Sequence, residues 1–264
     1  MIPFINSLKG AFDLTGKTAI VTGGNGGIGL GIAKALAESG ANIAILCRNM
    51  DKAKKALEEL SKYNGRYKAF SCDVLDMKSV IAAVDAAYKE FGDIGILVNN
   101  SGVASGGKFL DINPDFSELD TVIGTDLTGM AHVTYAVGNR MRSAGKGGSI
   151  VNITSNAGAI VNKGVGLSIY AVAKAGANHF TRHMAVELGE HDIRVNAIAP
   201  GYTHAGFGAE PGPDLLKLVT DQQPLKRMGE AIELGALAVF LASPASAHIT
   251  GEVITVDGGY TLSC

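Results

Sequence analysis

Short runs of apolar and β-branched residues recur along the chain and predict its strands. None of these runs shows the regular polar alternation of a strand that is wetted on one face. Unbroken runs of this kind are typical of a parallel sheet that is covered by helices on both sides. The predicted strands are residues 18–21, 42–46, 67–71, 94–98, 149–153, 193–199 and 252–256.

Amphipathic stretches lie between these runs and predict helices. In residues 28–38, for example, Ile28, Ile32 and Leu36 share one stripe at helical spacing. The alternation of strands and helices predicts an α/β fold, a single-domain Rossmann-type doubly wound parallel sheet of about seven strands with right-handed crossovers. The predicted helices are residues 28–38, 50–61, 76–91, 116–142, 168–189 and 230–242.

No shift in composition divides the chain, so residues 1–264 are predicted to form one domain, with residues 1–16 as an N-terminal extension. Residues 201–213 are rich in glycine and proline, and we expect residues 201–222 to form a lid over a substrate. A linker between two domains is the alternative interpretation. Only about 50 residues follow it, which is marginal for an independent core and favours the lid.

Composition and charge narrow the classes of partner. With 47% hydrophobic and 18% charged residues, the chain has the composition of a folded protein and not of a disordered one. A net charge of −2 gives no broad attraction for nucleic acid or an anionic membrane, so neither is expected as a partner. Three scattered cysteines, no metal-ligand spacing and no apolar run of signal-peptide length predict a cytoplasmic protein without a metal site.

Glycine is over-represented, at 35 of 264 residues, and much of the surplus crowds into one turn after the first predicted strand. Glycines there let the backbone turn tightly and approach a pyrophosphate. The free N–H groups and the dipole of the following helix stabilise the pyrophosphate charge. The turn therefore predicts a dinucleotide-binding site, to which we assign Gly23, Asn25, Gly27, Ile28 and Gly29.

Several motifs in sequence order resemble those of one enzyme family. TGGNGGIG at residues 22–29 resembles the TGxxxGIG signature of the classical short-chain dehydrogenases/reductases, and NNSG at 99–102 resembles the family's NNAG. Ser155, the Tyr170-x-x-x-Lys174 pair and Pro200-Gly201 follow in the family's order. The resemblance spans nearly the whole chain. It implies an NAD(P)-dependent oxidoreductase that interconverts a secondary alcohol and a ketone, takes a small-molecule substrate and assembles as a homotetramer.

The resemblance also implies contacts to the cofactor. Arg48 stands where NAD-preferring relatives carry an acid, and its guanidinium can pair with a 2′-phosphate, which favours NADP(H) over NAD(H). The alternative is an Arg48 that is solvated or stacks on adenine with NAD bound. Asp73 resembles the residue that binds the adenine amino group, although it could instead cap the next turn. The other implied contacts are Val74 at adenine, Asn100, Tyr170 and Lys174 at the nicotinamide ribose, and Pro200 and Thr203 at the carboxamide.

The candidate catalytic residues are Tyr170, Lys174, Ser155 and Asp126. Tyr170 and Lys174 are four residues apart, so they share one face of a helix. A neighbouring ammonium favours phenolate and lowers the phenol pKa, which suits Tyr170 to act as acid or base. The resemblance implies that Ser155, just before x-x-Gly, hydrogen-bonds the reacting oxygen, and that Lys174 also holds the ribose.

Two departures from the family pattern bear on function. Asp126 occupies a position at which relatives usually have Asn, in an N-L-x-G stretch. The resemblance implies that this residue supports an irregularity in the helix and a water that relays protons to the Lys. An ionised Asp accepts hydrogen bonds but donates none, so a relay with altered pKa values and a merely structural role both stay open. The segment 156–169 is longer than is usual in the family, and we expect it to alter the substrate pocket.

Three substrate classes fit the sequence. FDLTGKTAIVTG near the start and VDGGYTL near the end resemble sugar-acid and polyol members of the family, which favours a sugar, polyol or sugar acid. A hydroxysteroid and a 3-oxoacyl thioester are the alternatives within enzymes. A cofactor-binding regulator with a silent site is the alternative from another class, and the intact set of Ser155, Tyr170 and Lys174 argues against it.

Overall fold

The structure, a computed structural model, describes residues 10–104, 107–163, 165–204 and 212–262. Residues 1–9 of the predicted extension and 205–211 of the predicted lid lie outside the described residues. A seven-stranded sheet occupies the centre, in the order β3-β2-β1-β4-β5-β6-β7, and all neighbouring strands pair in parallel. The predicted Rossmann-type doubly wound sheet is therefore confirmed.

Each predicted strand forms close to its predicted bounds. The outer strands β3 and β7, however, are only half-buried, so the expectation that every strand is covered on both faces is wrong at the two edges. The seven strands are β1 (Thr18–Thr22), β2 (Asn42–Cys47), β3 (Tyr67–Ser71), β4 (Ile96–Asn99), β5 (Gly148–Ile153), β6 (Ile193–Pro200) and β7 (Val253–Val256).

Eight α-helices surround the sheet in the described part of the chain. Asn49 and Asp76 cap α2 and α3 by accepting backbone N–H groups in the first turns, and α8 begins with a capping box of Glu230 and Glu233. None of the described helices is long and apolar enough to cross a membrane. The helices are α1 (Gly27–Glu38), α2 (Met50–Leu60), α3 (Met77–Phe91), α4 (Ser117–Ile123), α5 (Gly129–Ala144), α6 (Ser168–Gly189), α7 (Pro213–Gln222) and α8 (Ala231–Ala242).

The single helix predicted over residues 116–142 is wrong. A π-helical turn, Gly124–Thr128, separates α4 from α5. Asp126 lies within this wide turn and is fully buried, accepting the backbone N–H of Val103 at 2.7 Å. π turns are rare and occur mostly at functional sites, and local periodicity does not distinguish one from an α-helical turn.

Two apolar layers hold the helices against the sheet. One layer packs α1 and α8 against β1, β2 and β6, and the other packs α3 and α5 against the opposite face. Helices α1 and α8 approach very closely, because a Cβ on Gly31 would lie only 2.5 Å from the Cβ of Ala231. The strand order reverses between β1 and β4, and in such sheets the carboxyl ends of the strands at this point open into a ligand crevice.

Candidate active site

The glycine-rich turn joins β1 to α1 at the crevice. Gly23 and Gly27 have positive φ angles of 64° and 56°, which an L side chain rarely adopts. Gly29 has no room for a side chain, since its Cβ would lie 2.5 Å from the carbonyl oxygen of Gly23. Helix α1 begins after Gly26 without a side-chain cap, so the N–H groups of its first turn stay available to an anion. The turn thus fits a pyrophosphate.

The sequence assigned Asn100 to the nicotinamide ribose, but its side chain is engaged in the glycine-rich turn. Its Nδ2 donates to the carbonyl oxygen of Thr22 at 3.0 Å. The backbone N–H groups of Asn100 and Ser101 both donate to the Thr22 hydroxyl at 2.9 Å. This residue lines the crevice and at the same time fastens the end of β4 to the turn after β1.

The crevice beyond the turn is lined by two cations at the ends of β2 and α2. Arg48 is exposed and forms no ion pair with any described residue, and Lys52 lies one helical turn further on. Asp73 and Val74 line the same region after β3. Asp73 also accepts the N–H of Leu75 at 3.0 Å, so it forms the turn that was its alternative role. Lys52 was missed from the sequence, although two cations within five residues of a strand end are a usable signal.

Tyr170 and Lys174 lie on the buried face of α6, and Ser155 lies two residues after the end of β5. Each of the three side chains is exposed by less than a tenth. Ser155 is hydrogen-bonded to Tyr170, and its Oγ also accepts the N–H of Ala157 at 3.1 Å. Neighbouring Thr154 turns its hydroxyl to the carbonyl oxygen of Ile198, away from this group. The structure therefore brings together the three residues that the motifs singled out.

The electrostatics of Tyr170 differ from the expectation. Burial raises the pKa of its phenol, outweighing the Lys174 ammonium and the Ser155 hydrogen bond, both of which act to lower it. The negative charge of Asp126 raises the pKa further. The prediction that the adjacent Lys174 leaves Tyr170 with a lowered pKa is therefore wrong for the free enzyme, because desolvation penalises the phenolate more than one ammonium favours it.

Asp126 and Lys174 form a buried ion pair. Oδ2 of Asp126 is 3.0 Å from Nζ of Lys174. Nζ also donates to the carbonyl oxygen of Ile153 at 3.2 Å, at the end of β5. Burial raises the pKa of the Asp126 carboxyl, while the ammonium and the Val103 N–H act in the opposite direction. The fourth candidate residue thus contacts the others through Lys174.

The remaining walls of the crevice come from the end of β6 and from the segment 156–169. Pro200 and Thr203 line it, and Thr203 is held in place by a backbone bridge to Gly229. Asn162, from the lengthened segment, is 8% exposed, and its Oδ1 has no hydrogen-bond partner among the described residues. The sequence flagged this segment but not Asn162. Apolar side chains share this end of the crevice: Val103, Val165, Leu167, Leu215 and Met228.

The candidate residues other than Gly29 and Asp126 line one cavity of about 990 Å³. This volume lies at the upper end of the range for ligand sites, ~300–1,000 Å³. The glycine-rich turn and Arg48 occupy one region of its lining, and Ser155, Tyr170 and Lys174 another. A cavity of this size, with a phosphate turn and an acid/base pair, suits a dinucleotide with a small substrate beside it.

Known proteins match this chain along nearly its whole length. A family model described as enoyl-(acyl carrier protein) reductase matches residues 23–261. The D-threitol dehydrogenase of Mycolicibacterium smegmatis is 40% identical over 95% of this chain and 95% of that protein. The 3-oxoacyl-[acyl-carrier-protein] reductase FabG of Chlamydia muridarum is 38% identical over 93% and 98%. The sorbose reductase SOU1 of Candida albicans is 36% identical over 95% and 89%.

Solved structures agree with these sequence matches. A short-chain type dehydrogenase/reductase from Mycobacterium marinum superposes with a TM-score of 0.92 at 37% identity, covering 97% of this chain and 99% of that one. Sequence motifs, sheet order and relatives thus lead to one family. The chain belongs to the short-chain dehydrogenases/reductases, NAD(P)-dependent oxidoreductases that act on CH–OH and C=O groups.

Proposed function

We propose that this protein is an NADP(H)-preferring enzyme that interconverts a ketone and a secondary alcohol on a sugar, polyol or sugar acid. One observation carries the proposal. The hydrogen-bonded pair of Ser155 and Tyr170 lines the same cavity as an Arg48 that has no described acidic partner. The candidate acid/base pair and the arginine that we assign to cofactor selection therefore line one cavity.

The side chains have separate roles in the proposed reaction. In reduction, the Tyr170 O–H bond breaks and its proton goes to the carbonyl oxygen; in oxidation the phenolate takes the proton back. A bound nicotinamide would supply the hydride for reduction and accept it in oxidation. Ser155 hydrogen-bonds the reacting oxygen and holds it beside Tyr170. Lys174 places a positive charge near the phenol and binds the ribose. The burial of these groups keeps bulk water away from the transfer.

The two cations support the preference for NADP(H). A 2′-phosphate between Arg48 and Lys52 would gain charge-assisted hydrogen bonds in a region where the cations meet no described carboxylate partner. Gly23, Asn25, Gly27, Ile28 and Gly29 hold the pyrophosphate in this proposal. Asp73 and Val74 contact adenine, and Pro200 and Thr203 contact the carboxamide.

The substrate class is supported by two independent observations. Relatives include a threitol dehydrogenase and a sorbose reductase, both of which act on polyhydroxylated molecules by name. In this chain, Oδ1 of Asn162, which no described residue hydrogen-bonds, gives the cavity a buried acceptor that a substrate hydroxyl can satisfy. Two alternatives have support of their own. The apolar side chains that line the cavity would suit an oxosteroid, and the FabG relative makes a 3-oxoacyl thioester a candidate.

The test is a panel of ketoses, oxo sugar acids, oxosteroids and 3-oxoacyl thioesters, each with NADPH and with NADH, followed by nicotinamide absorbance. We expect turnover of a ketose or oxo sugar acid, at least tenfold faster with NADPH at limiting cofactor. Tyr170→Phe should reduce turnover by about 10²–10⁴-fold and leave cofactor binding intact. Cofactor binding without turnover of any substrate would instead favour the silent regulator.

Cofactor preference has its own variant and control. Arg48→Asp should shift the kcat/KM ratio towards NADH, because a carboxylate repels the 2′-phosphate. Lys55→Glu makes the same change in charge on the exposed face of α2, outside the cavity, and should leave the ratio unchanged. An equal shift in both variants would show a general field effect and refute pairing between Arg48 and the phosphate.

Assembly as a homotetramer is part of the same proposal. The outer faces of α5 and α6 expose apolar side chains, with Tyr135 at 65%, Val172 at 64% and Val186 at 82% exposure. Exposed apolar residues on two adjacent long helices suit a helix–helix interface. Light scattering coupled to size exclusion should give four copies, and Val186→Glu should shift the mass to smaller species. A monomeric mass at micromolar concentration would contradict the proposed homotetramer.

A further inference from the structure

The acid/base tyrosine of this protein lies beside a neutral ion pair and not beside a lone cation. Nζ of Lys174 is 5.5 Å from the centre of the Tyr170 ring and 3.0 Å from Oδ2 of Asp126. These two separations place the carboxylate within 8.5 Å of the phenol ring. Both partners of the pair are almost completely buried, so water screens neither of them.

Two contacts of Asp126 favour its charged form, against the burial that raises the pKa of the carboxyl. Its Oδ1 accepts the N–H of Val103 at 2.7 Å, and its Oδ2 meets the ammonium. The site is also closed around it, because a Cβ on Gly102 would lie 3.1 Å from Oδ2 and 3.4 Å from Nζ. The wide π turn places this carboxylate against α6. A neutral Asn amide would accept the same N–H but would not cancel the charge of Lys174.

Other titratable groups around the tyrosine are engaged elsewhere. Among the described residues, Lys174 and Asp126 are the charged groups that act on the phenol. Asp257, behind the turn that follows β5, accepts from Nδ2 of Asn156 and from the N–H of Thr261. His132, on α5, binds the carbonyl oxygen of Val74 through Nδ1. The net charge near Tyr170 therefore depends on the pair of Lys174 and Asp126.

We propose that Asp126 is a positioning residue that offsets the charge of Lys174 and keeps Tyr170 in its protonated form, so that the site is set for carbonyl reduction. The inference that the site is set for reduction rests on the proposed acid/base role of Tyr170. With the ammonium offset, the phenolate that alcohol oxidation needs forms only at alkaline pH. The phenol that reduction needs persists across the neutral range.

The expected shift follows from the distance. A unit charge at about 8.5 Å, with an effective dielectric constant of about 20, moves a titration by about one to two pH units. Asp126→Asn removes this charge and nearly preserves the shape of the side chain. Its phenolate should therefore form one to two pH units lower than that of the wild type, and the alkaline limb of kcat/KM for alcohol oxidation should move down by the same amount.

The primary experiment needs no substrate and is a phenolate absorbance titration. The signal of Tyr170 is the difference between the wild type and Tyr170→Phe, measured again in the Asp126→Asn background. We expect the midpoint of phenolate formation at Tyr170 to be lower in the Asp126→Asn background than in the wild type. An unchanged or higher midpoint would overturn the proposal. The comparison of the wild type with Tyr170→Phe also tests the proposal if Asp126→Asn fails to fold. A wild-type Tyr170 midpoint below that of an ordinary phenol, ~10, would overturn the proposal.

Asp120→Asn is the matched control. Asp120 is an exposed carboxylate on α4, just before the π turn, and its charge is screened by solvent. Its replacement should leave the midpoint of the Tyr170 titration and the pH profile of alcohol oxidation unchanged. A shift as large as that of Asp126→Asn would refute the specific role of the buried pair. Because the titration reports no turnover, failure of the substrate panel would not be mistaken for failure of this proposal.

Discussion

Gly158 is the point at which the turn carrying Ser155 contacts α6, so its replacement tests how tightly the candidate catalytic groups are held together. The turn Asn156–Gly158 follows Ser155 as a short 3₁₀ helix. A Cβ on Gly158 would lie 2.7 Å from the carbonyl carbon of Lys174, 2.8 Å from the backbone nitrogen of Ala175 and 2.8 Å from Nδ2 of Asn178. Two of these atoms belong to helical backbone, which cannot rotate out of the way.

The size of the effect follows from these distances. Ordinary contact begins at 3.4 Å, so the turn and α6 must separate by about 0.7 Å to admit the methyl group. Ser155 is fixed to this turn and Tyr170 to the helix, so the separation acts directly on the hydrogen bond between them. Overpacking of this kind costs about 1–3 kcal/mol of folding free energy, and a displacement of ~1 Å at reacting groups lowers the rate by up to about 10²-fold.

Gly158→Ala should therefore lower kcat by about 10- to 100-fold with the best substrate of the panel and reduce the free energy of unfolding measured in urea. Gly189→Ala is the control, because Gly189 ends the same helix and a Cβ there would meet nothing within 4 Å. That control should retain full activity and lose no stability. A Gly158→Ala enzyme with a rate within threefold of wild type would refute the argument that this contact positions Ser155.

Two further predictions concern the core. Gly31→Ala should cost about 1–3 kcal/mol in urea unfolding despite the better helix propensity of alanine, because its Cβ would lie 2.5 Å from that of Ala231; a gain in stability would contradict the close packing of α1 and α8. Burial raises the pKa of Cys72 to about 11 and also raises that of Cys47, so both thiols should resist a disulfide reagent at pH 8 in the folded protein. Rapid modification of either cysteine, located by mass spectrometry, would contradict the burial of its thiol.

The sequence was sufficient for the features that depend on residues close together in the chain. Seven runs rich in apolar and β-branched residues predicted seven strands, and the five inner strands are almost completely buried, because helices cover both faces of the sheet there. The glycine turn was recognisable because positive φ angles and the close approach at Gly29 leave no room for a side chain. The pairing of Tyr170 with Lys174 required only helical spacing. In each case, the physical cause acts over a few residues.

Only the tertiary structure decided the features that depend on distant segments. The amide of Asn100 binds the turn after β1 because parallel strands bring residues 22 and 100 together. The wide turn at Gly124–Thr128 interrupts a helix that periodicity predicted as continuous. The pKa of Tyr170 is raised and not lowered because burial and Asp126 outweigh Lys174. The sequence by itself determined which side chains this protein has for its chemistry, and the fold decided the electrostatic environment of those side chains. The reason is that desolvation and Coulomb energies depend on distances that the order of residues does not contain.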